Sequence, residues 1–126
     1  MESFKQVIKL KLIYIKNNKT KHIQDFENDL INRMKNLIDI KMVPIAHKKK
    51  FSSNNELINY EGELIKKELK DNSLFYCFDK KGEKFSSENF SKLIFSQNQI
   101  INLIIGGAYG ICENIQMKAN KVISFS

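Results

Sequence analysis

Three glycines in five residues, Gly106, Gly107 and Gly110, close the apolar run from Ile100 to Ile105. Glycine tolerates backbone shapes and close approaches that a Cβ forbids, so bare main chain here comes near another group. A turn of this kind, after a strand and ahead of a helix, stands where open α/β sheets bind ligands. The spacing is neither the dinucleotide pattern G-x-G-x-x-G nor the phosphate-cradling G-x-x-x-x-G-K-[ST]. Taken alone, the glycines serve equally well as a tight strand-to-helix connection with no ligand.

Other reactive side chains offer less. There is no G-x-S-x-G elbow, and neither His22 nor His47 has a Ser or Cys partner suited to nucleophilic catalysis. Cys77 sits mid-strand in an apolar run and reads as a small core residue. Cys112 opens a helix, where a thiol pKa can fall, but packing is again the simpler role. The two cysteines and two histidines lack metal-ligand spacing, so no metal site is expected. Glu61, Glu63 and Glu68 share a helix with Lys66, Lys67 and Lys70 and read as solvated helix pairs. Asp79, just beyond the third strand, is better placed for function. No residue names itself as a general base. Chemistry, if any, comes from a cofactor or from residues outside this chain.

Charge points to the partner. The 126 residues carry a net +7, almost all of the basic count being lysine, with a sequence pI near 9.4. Such a balance suits a polyanion such as nucleic acid, although low-GC coding bias produces the same lysine-rich pattern. Lys48-Lys49-Lys50 is the densest cluster, a solvated loop by default and a phosphate contact otherwise. No stretch approaches the roughly 18–20 apolar residues of a membrane helix, and Met1 to Lys9 has no signal-peptide pattern. The expectation is a cytoplasmic protein with reduced thiols.

The elements that must position these residues follow from periodicity. Val7 to Ile15 reads as a strand. Ile23, Phe26, Leu30, Met34 and Leu37 recur at helical intervals. Ile38 to Ile45 is a second strand, and Pro44 marks it as ending or lying at an edge. Ala46 to Asn55 is a polar, basic loop, the segment expected to move most. Ser53 and Glu56 form a capping-box signature for a helix that carries Leu57, Tyr60, Leu64, Ile65 and Leu69. Leu74 to Phe78 is a doubly buried strand, followed by a turn at Lys80-Lys81-Gly82-Glu83. Ser86 or Ser87 caps a helix carrying Phe90, Leu93, Ile94 and Phe95. Ile100 to Ile105 is the fourth strand, Cys112 to Asn120 the fourth helix, and Val122 to Phe125 the start of a fifth strand. Strict alternation predicts one α/β domain: a mainly parallel sheet with helices on both faces.

These pieces together resemble the ribosomal RNA large subunit methyltransferase H family, within the SPOUT superfamily of knotted methyltransferases. The likeness runs along nearly the whole chain: Ile8-Lys9-Leu10-Lys11-Leu12, Ile38-Asp39-Ile40 to Pro44, Glu61-Gly62-Glu63, Asp79-Lys80-Lys81-Gly82 and Ser86-Ser87-Glu88-Asn89-Phe90. Its most specific pieces are Ile105-Gly106-Gly107-Ala108-Tyr109-Gly110 and Ile123-Ser124-Phe125-Ser126.

The resemblance implies S-adenosyl-L-methionine bound by backbone loops after three strands. By position these are Phe78, Gly106 with Gly107, and Phe125 with Ser126. It implies methyl transfer to N3 of a pseudouridine in 23S rRNA of the ribosome, by a cytoplasmic homodimer. Such a donor carries its own sulfonium leaving group, so the protein mainly positions two reactants, and a missing catalytic triad is no objection.

Two departures stand out. Tyr14-Ile15-Lys16-Asn17 replaces the small residue and glycine that family members have after the first strand. The sequence also stops at Ser126, where the family continues with a Thr-x-Pro-His-Gln-like segment and a further helix. The reading is therefore a domain over residues 1–126, incomplete at its C-terminus and lacking the segment that closes the knot, with no assignable catalytic residue. Two alternatives stay open: a non-catalytic, basic RNA-binding remnant, and an unrelated small nucleotide-binding α/β protein.

Overall fold

The computed structural model describes residues 7–16, 25, 28, 29, 32, 37–107 and 109–124. Five strands form one sheet: β1 (Ile8–Ile15), β2 (Ile38–Ile45), β3 (Leu74–Lys84), β4 (Ile101–Ile105) and β5 (Lys121–Ser124). Their order is β2-β1-β4-β3-β5, and every pairing is parallel. Three helices are described along their length: α1 (Asn54–Glu68), α2 (Ser87–Phe95) and α3 (Glu113–Lys118).

The pleat explains the layers. Ile8, Leu10 and Leu12 of β1 point to one face, where they meet Tyr76, Leu103 and Ile123 under Phe90 and Ile94 of α2. Ile13 and Ile15 point to the other, where Cys77 and Ile104 pack under Ile65 of α1 and Ile115 of α3. Both faces are thus helix-covered, as the alternation of elements predicts. Each fully buried aliphatic or aromatic side chain contributes about 1.5–3 kcal/mol.

Local signals set the element ends. Ser53 caps α1, accepting from Glu56 N at 3.2 Å. Ser86, not Ser87, caps α2, accepting from Asn89 N at 3.0 Å. Pro44 lies near the end of the edge strand β2, where a missing N–H is tolerated. Helix α3 is shorter than the predicted Cys112–Asn120, because Cys112 sits at its N-cap and Ala119 at its C-cap, both with extended backbone.

β3 departs most from expectation. It continues through the predicted turn at Lys80–Glu83 to Lys84, with its pairing interrupted: Ile123 of β5 faces both Phe78 and Glu83. Residues 79–82 are looped out of register with β5 between those two contacts. Of the helix expected around Ile23 to Leu37, Asp25, Asn28, Asp29 and Asn32 are helical and exposed. Ile23, Phe26, Leu30 and Met34, its predicted apolar side, lie outside the described residues.

Candidate functional site

At the carboxyl end of β4 the chain enters the glycine turn. Gly110 N donates to Gly107 O at 3.1 Å, and Gly110 takes a φ of +92°, a left-handed value that glycine adopts freely. A Cβ on Gly106 would lie 2.5 Å from Gly110 O and 2.7 Å from Ile111 Cγ1. One on Gly107 would lie 2.9 Å from Glu61 Oε1. The space each Cβ would take is therefore filled by the protein itself. The glycines are needed to fold the turn on itself, the tight strand-to-helix connection that their spacing allows.

Their main chain nonetheless borders a cleft of ≈ 700 Å³ at the carboxyl ends of β3 and β4. Phe78, Ile105 and Ile111 give it apolar lining, with Gly106 and Gly107 beside them. Parallel α/β sheets gather ligands at this end of their strands. Phe78 is half-buried, in register with Ile105, its ring 5.8 Å from that of Phe90. The structure thus brings together three of the five residues expected to hold a cofactor: Phe78, Gly106 and Gly107. Phe125 and Ser126 lie outside the described residues. The chain is followed to Ser124, whose carbonyl accepts from Phe85 N at 2.9 Å.

Asp79 organises the cleft. Its Oδ1 accepts from Lys81 N at 2.9 Å, and its Oδ2 lies 3.5 Å from Gln116 Nε2. Gln116 also donates to Ile111 O at 2.7 Å. One carboxylate therefore joins the looped-out part of β3, helix α3 and the segment after the glycine turn. Gly82 in that loop is also required: a Cβ there would lie 2.6 Å from the backbone of Val122.

The residue that sequence reasoning placed wrongly is Glu61. It is not a solvated helix pair but buried, its Oε2 receiving a hydrogen bond from His47 Nε2 at 2.9 Å. The inward side of α1 carries Ile58, Glu61, Gly62, Leu64, Ile65 and Leu69; Leu64, Ile65 and Leu69 are among the predicted apolar residues, and Ile58, Glu61 and Gly62 are not. Gly62 is inward because Cys112 abuts it, a Cβ there falling 2.5 Å from Cys112 Sγ. His47 packs edge-on to Tyr60 at 5.2 Å, so the start of the 46–53 loop is docked on α1. The signal that would have found this was the three- and four-residue spacing from Ile58 to Leu69. Glu63 does form the expected helix pair, 3.3 Å from Lys66.

Both cysteines are buried and free. Burial, followed by the neighbouring Cys112 and Asp79, pushes the Cys77 thiol up to about 12. A thiol held protonated makes a poor nucleophile, and Cys77 is a core residue. Among the described residues, no group of three or more His, Cys, Asp or Glu side chains is placed to hold a metal. No helix among them is long and apolar enough to cross a membrane.

Residues 8–126 match a family model described as "Predicted SPOUT methyltransferase". A ribosomal RNA large subunit methyltransferase H of Dictyoglomus thermophilum is 36% identical over 121 residues, covering 93% of this chain and 78% of the relative. The enzyme of the same name from Clostridium acetobutylicum is 31% identical over 124 residues, covering 91% of this chain and 78% of the relative. The chain belongs to the SPOUT methyltransferase family.

Proposed function

We propose that this SPOUT family member transfers a methyl group from S-adenosyl-L-methionine to ribosomal RNA, the position being N3 of a pseudouridine in 23S rRNA. The observation that carries this reading is the cleft beyond β3 and β4, where backbone at Gly106 and Gly107 and the ring of Phe78 face one space. Its volume suits a nucleoside-sized ligand. Apolar side chains suit a flat base, and Asp79, Lys80, Lys81 and Glu113 offer both signs of charge to a zwitterion. The residues present fit the group.

S-adenosyl-L-methionine supplies an activated methyl on a sulfonium when bound. The chain's own part is to orient and to exclude water. Phe78 flanks the base, Gly106 and Gly107 offer main-chain groups, and Asp79 holds the turn and α3 together around them. Phe125 and Ser126 complete this set. The substrate is rRNA of the ribosome, met in the cytoplasm, and the working form is a homodimer. No catalytic side chain is assigned.

Calorimetric titration with S-adenosyl-L-methionine tests the reading. Binding that weakens about tenfold or more in Phe78→Ala supports it, since that change strips the cleft of its aromatic wall. No binding by the folded protein, or binding indifferent to Phe78, overturns the site. The net charge of +7 favours one other reading, RNA binding without catalysis. Strong RNA binding by a protein that ignores the methyl donor would establish it instead.

A further inference from the structure

We infer that Tyr109 is a stacking platform for an unpaired RNA base, with Lys80 and Lys81 of the same cleft taking a flanking phosphate. The inference rests on the rRNA methyltransferase reading above and adds to it the surface that grips the substrate.

Tyr109 lines the cleft yet is 55% exposed. The other tyrosines are occupied. Tyr14 and Tyr76 are core residues, and Tyr60 contacts His47, Phe51 and Lys49. The turn carrying Tyr109 is closed on itself, since Gly110 N donates to Gly107 O at 3.1 Å, and the Glu61 carboxylate stands close beside Gly107. Its backbone is thus ordered in advance, which lowers the entropic cost of using the ring for contact.

Lysines supply the charge. Glu61 holds His47, and Lys48, Lys49 and Lys50 follow it directly, with Lys49 Nζ 4.8 Å from the centre of the Tyr60 ring. Asp79 is followed by Lys80 and Lys81, both lining the cleft. All five lysines are exposed, and among the described residues none is matched to a carboxylate. Glu113, exposed, and Asp79, half-buried, are the opposing charges on the cleft wall. An exposed ring beside exposed lysines is the arrangement by which proteins hold single-stranded nucleic acid: bases stack on aromatics and phosphates meet lysines. The occupant argued for is a looped or single-stranded RNA segment, not a duplex, whose bases are already stacked.

The chain contains no tryptophan, so Tyr109→Trp creates a unique reporter. The probe is a short single-stranded RNA carrying one pseudouridine, with a blunt duplex of the same sequence as comparison. Quenching of Trp emission that saturates with the single strand, at the midpoint seen by anisotropy, is expected. Tyr109→Ala should weaken that binding roughly tenfold or more, with Tyr109→Phe close to wild type. Lys80→Gln with Lys81→Gln should weaken it too and flatten its dependence on salt. RNA binding that ignores Tyr109→Ala and leaves Trp emission unchanged overturns the inference while leaving the methyltransferase reading intact. So does quenching by S-adenosyl-L-methionine alone, by the duplex equally, or by protein concentration without RNA. Failure of the wild-type protein to bind the single strand at all counts against the rRNA reading itself.

Discussion

The carboxylate of Glu61 lies 2.9 Å from His47 Nε2 and also fills the space that a Cβ on Gly107 would need. One buried acid on α1 therefore holds the start of the basic loop and stands against the glycine turn. Glu61→Ala leaves His47 without its partner and opens a void beside the turn. The expected loss is about 1–3 kcal/mol in urea denaturation, against a smaller loss for Glu61→Gln, which keeps the shape and an acceptor. Equal stability of wild type and Glu61→Ala would show that the contact holds nothing in place.

Alanine normally stabilises a helix relative to glycine by about 1 kcal/mol. At Gly62 the sign should reverse, because the new methyl meets Cys112 Sγ. Gly62→Ala is expected to cost about 1–3 kcal/mol as overpacking. With Cys112→Ala already in place the sulfur is gone, and Gly62→Ala should be neutral or stabilising. A double-mutant cycle in denaturant measures this, and simple additivity would rule out the collision.

Gly106 faces its own loop so closely that Gly106→Ala cannot keep the turn. Loss of about 1–3 kcal/mol is expected together with loss of S-adenosyl-L-methionine binding by calorimetry. Ser53→Ala provides the contrast: it removes a helix cap far from the turn in sequence, costs about 1 kcal/mol, and should leave donor affinity unchanged. If both variants lose affinity alike, the turn has no special part in binding.

The Cys77 thiol has an ordinary pKa of 9.0 and reaches about 12 in the folded protein. Between these values the unfolded chain has released its proton and the folded chain has kept it. Rising pH there favours unfolding, by up to about 1.36 kcal/mol per unit, and the stabilisation is fully present below 9.0. Burial raises the Tyr76 pKa in the same direction. Cys77→Ala should therefore show a shallower fall in stability above pH 9 than wild type. Native alkylation of Cys77 by iodoacetamide should also be slow until the protein unfolds. Rapid labelling of Cys77 in the folded state would contradict its burial.

Legibility followed range. β2 was readable to both ends, Ile38 and Ile45, because apolar alternation and one proline are local signals. The two-faced burial of Leu74 to Phe78 likewise shows in an unbroken apolar run, whereas the gathering of Phe78, Gly106 and Gly107 at strand ends followed from the family resemblance. The inward place of Glu61 shows in the spacing from Ile58 to Leu69, but its partner was hidden, because His47 lies 14 positions away in a loop without periodicity. The continuation of β3 past Phe78 was equally hidden. Lys80-Lys81-Gly82 has the composition of a turn, and only the approach of β5 from 40 residues further on draws Glu83 and Lys84 back into the sheet.

That return to Ile123 has an evolutionary corollary. Both ends of the 79–82 segment are tied to a single residue of β5, so the charge it carries can vary while the framework beneath keeps its registration. Lys80 and Lys81 can therefore change without disturbing the strands on either side, provided that a residue without a side chain stays where Gly82 slips past Val122.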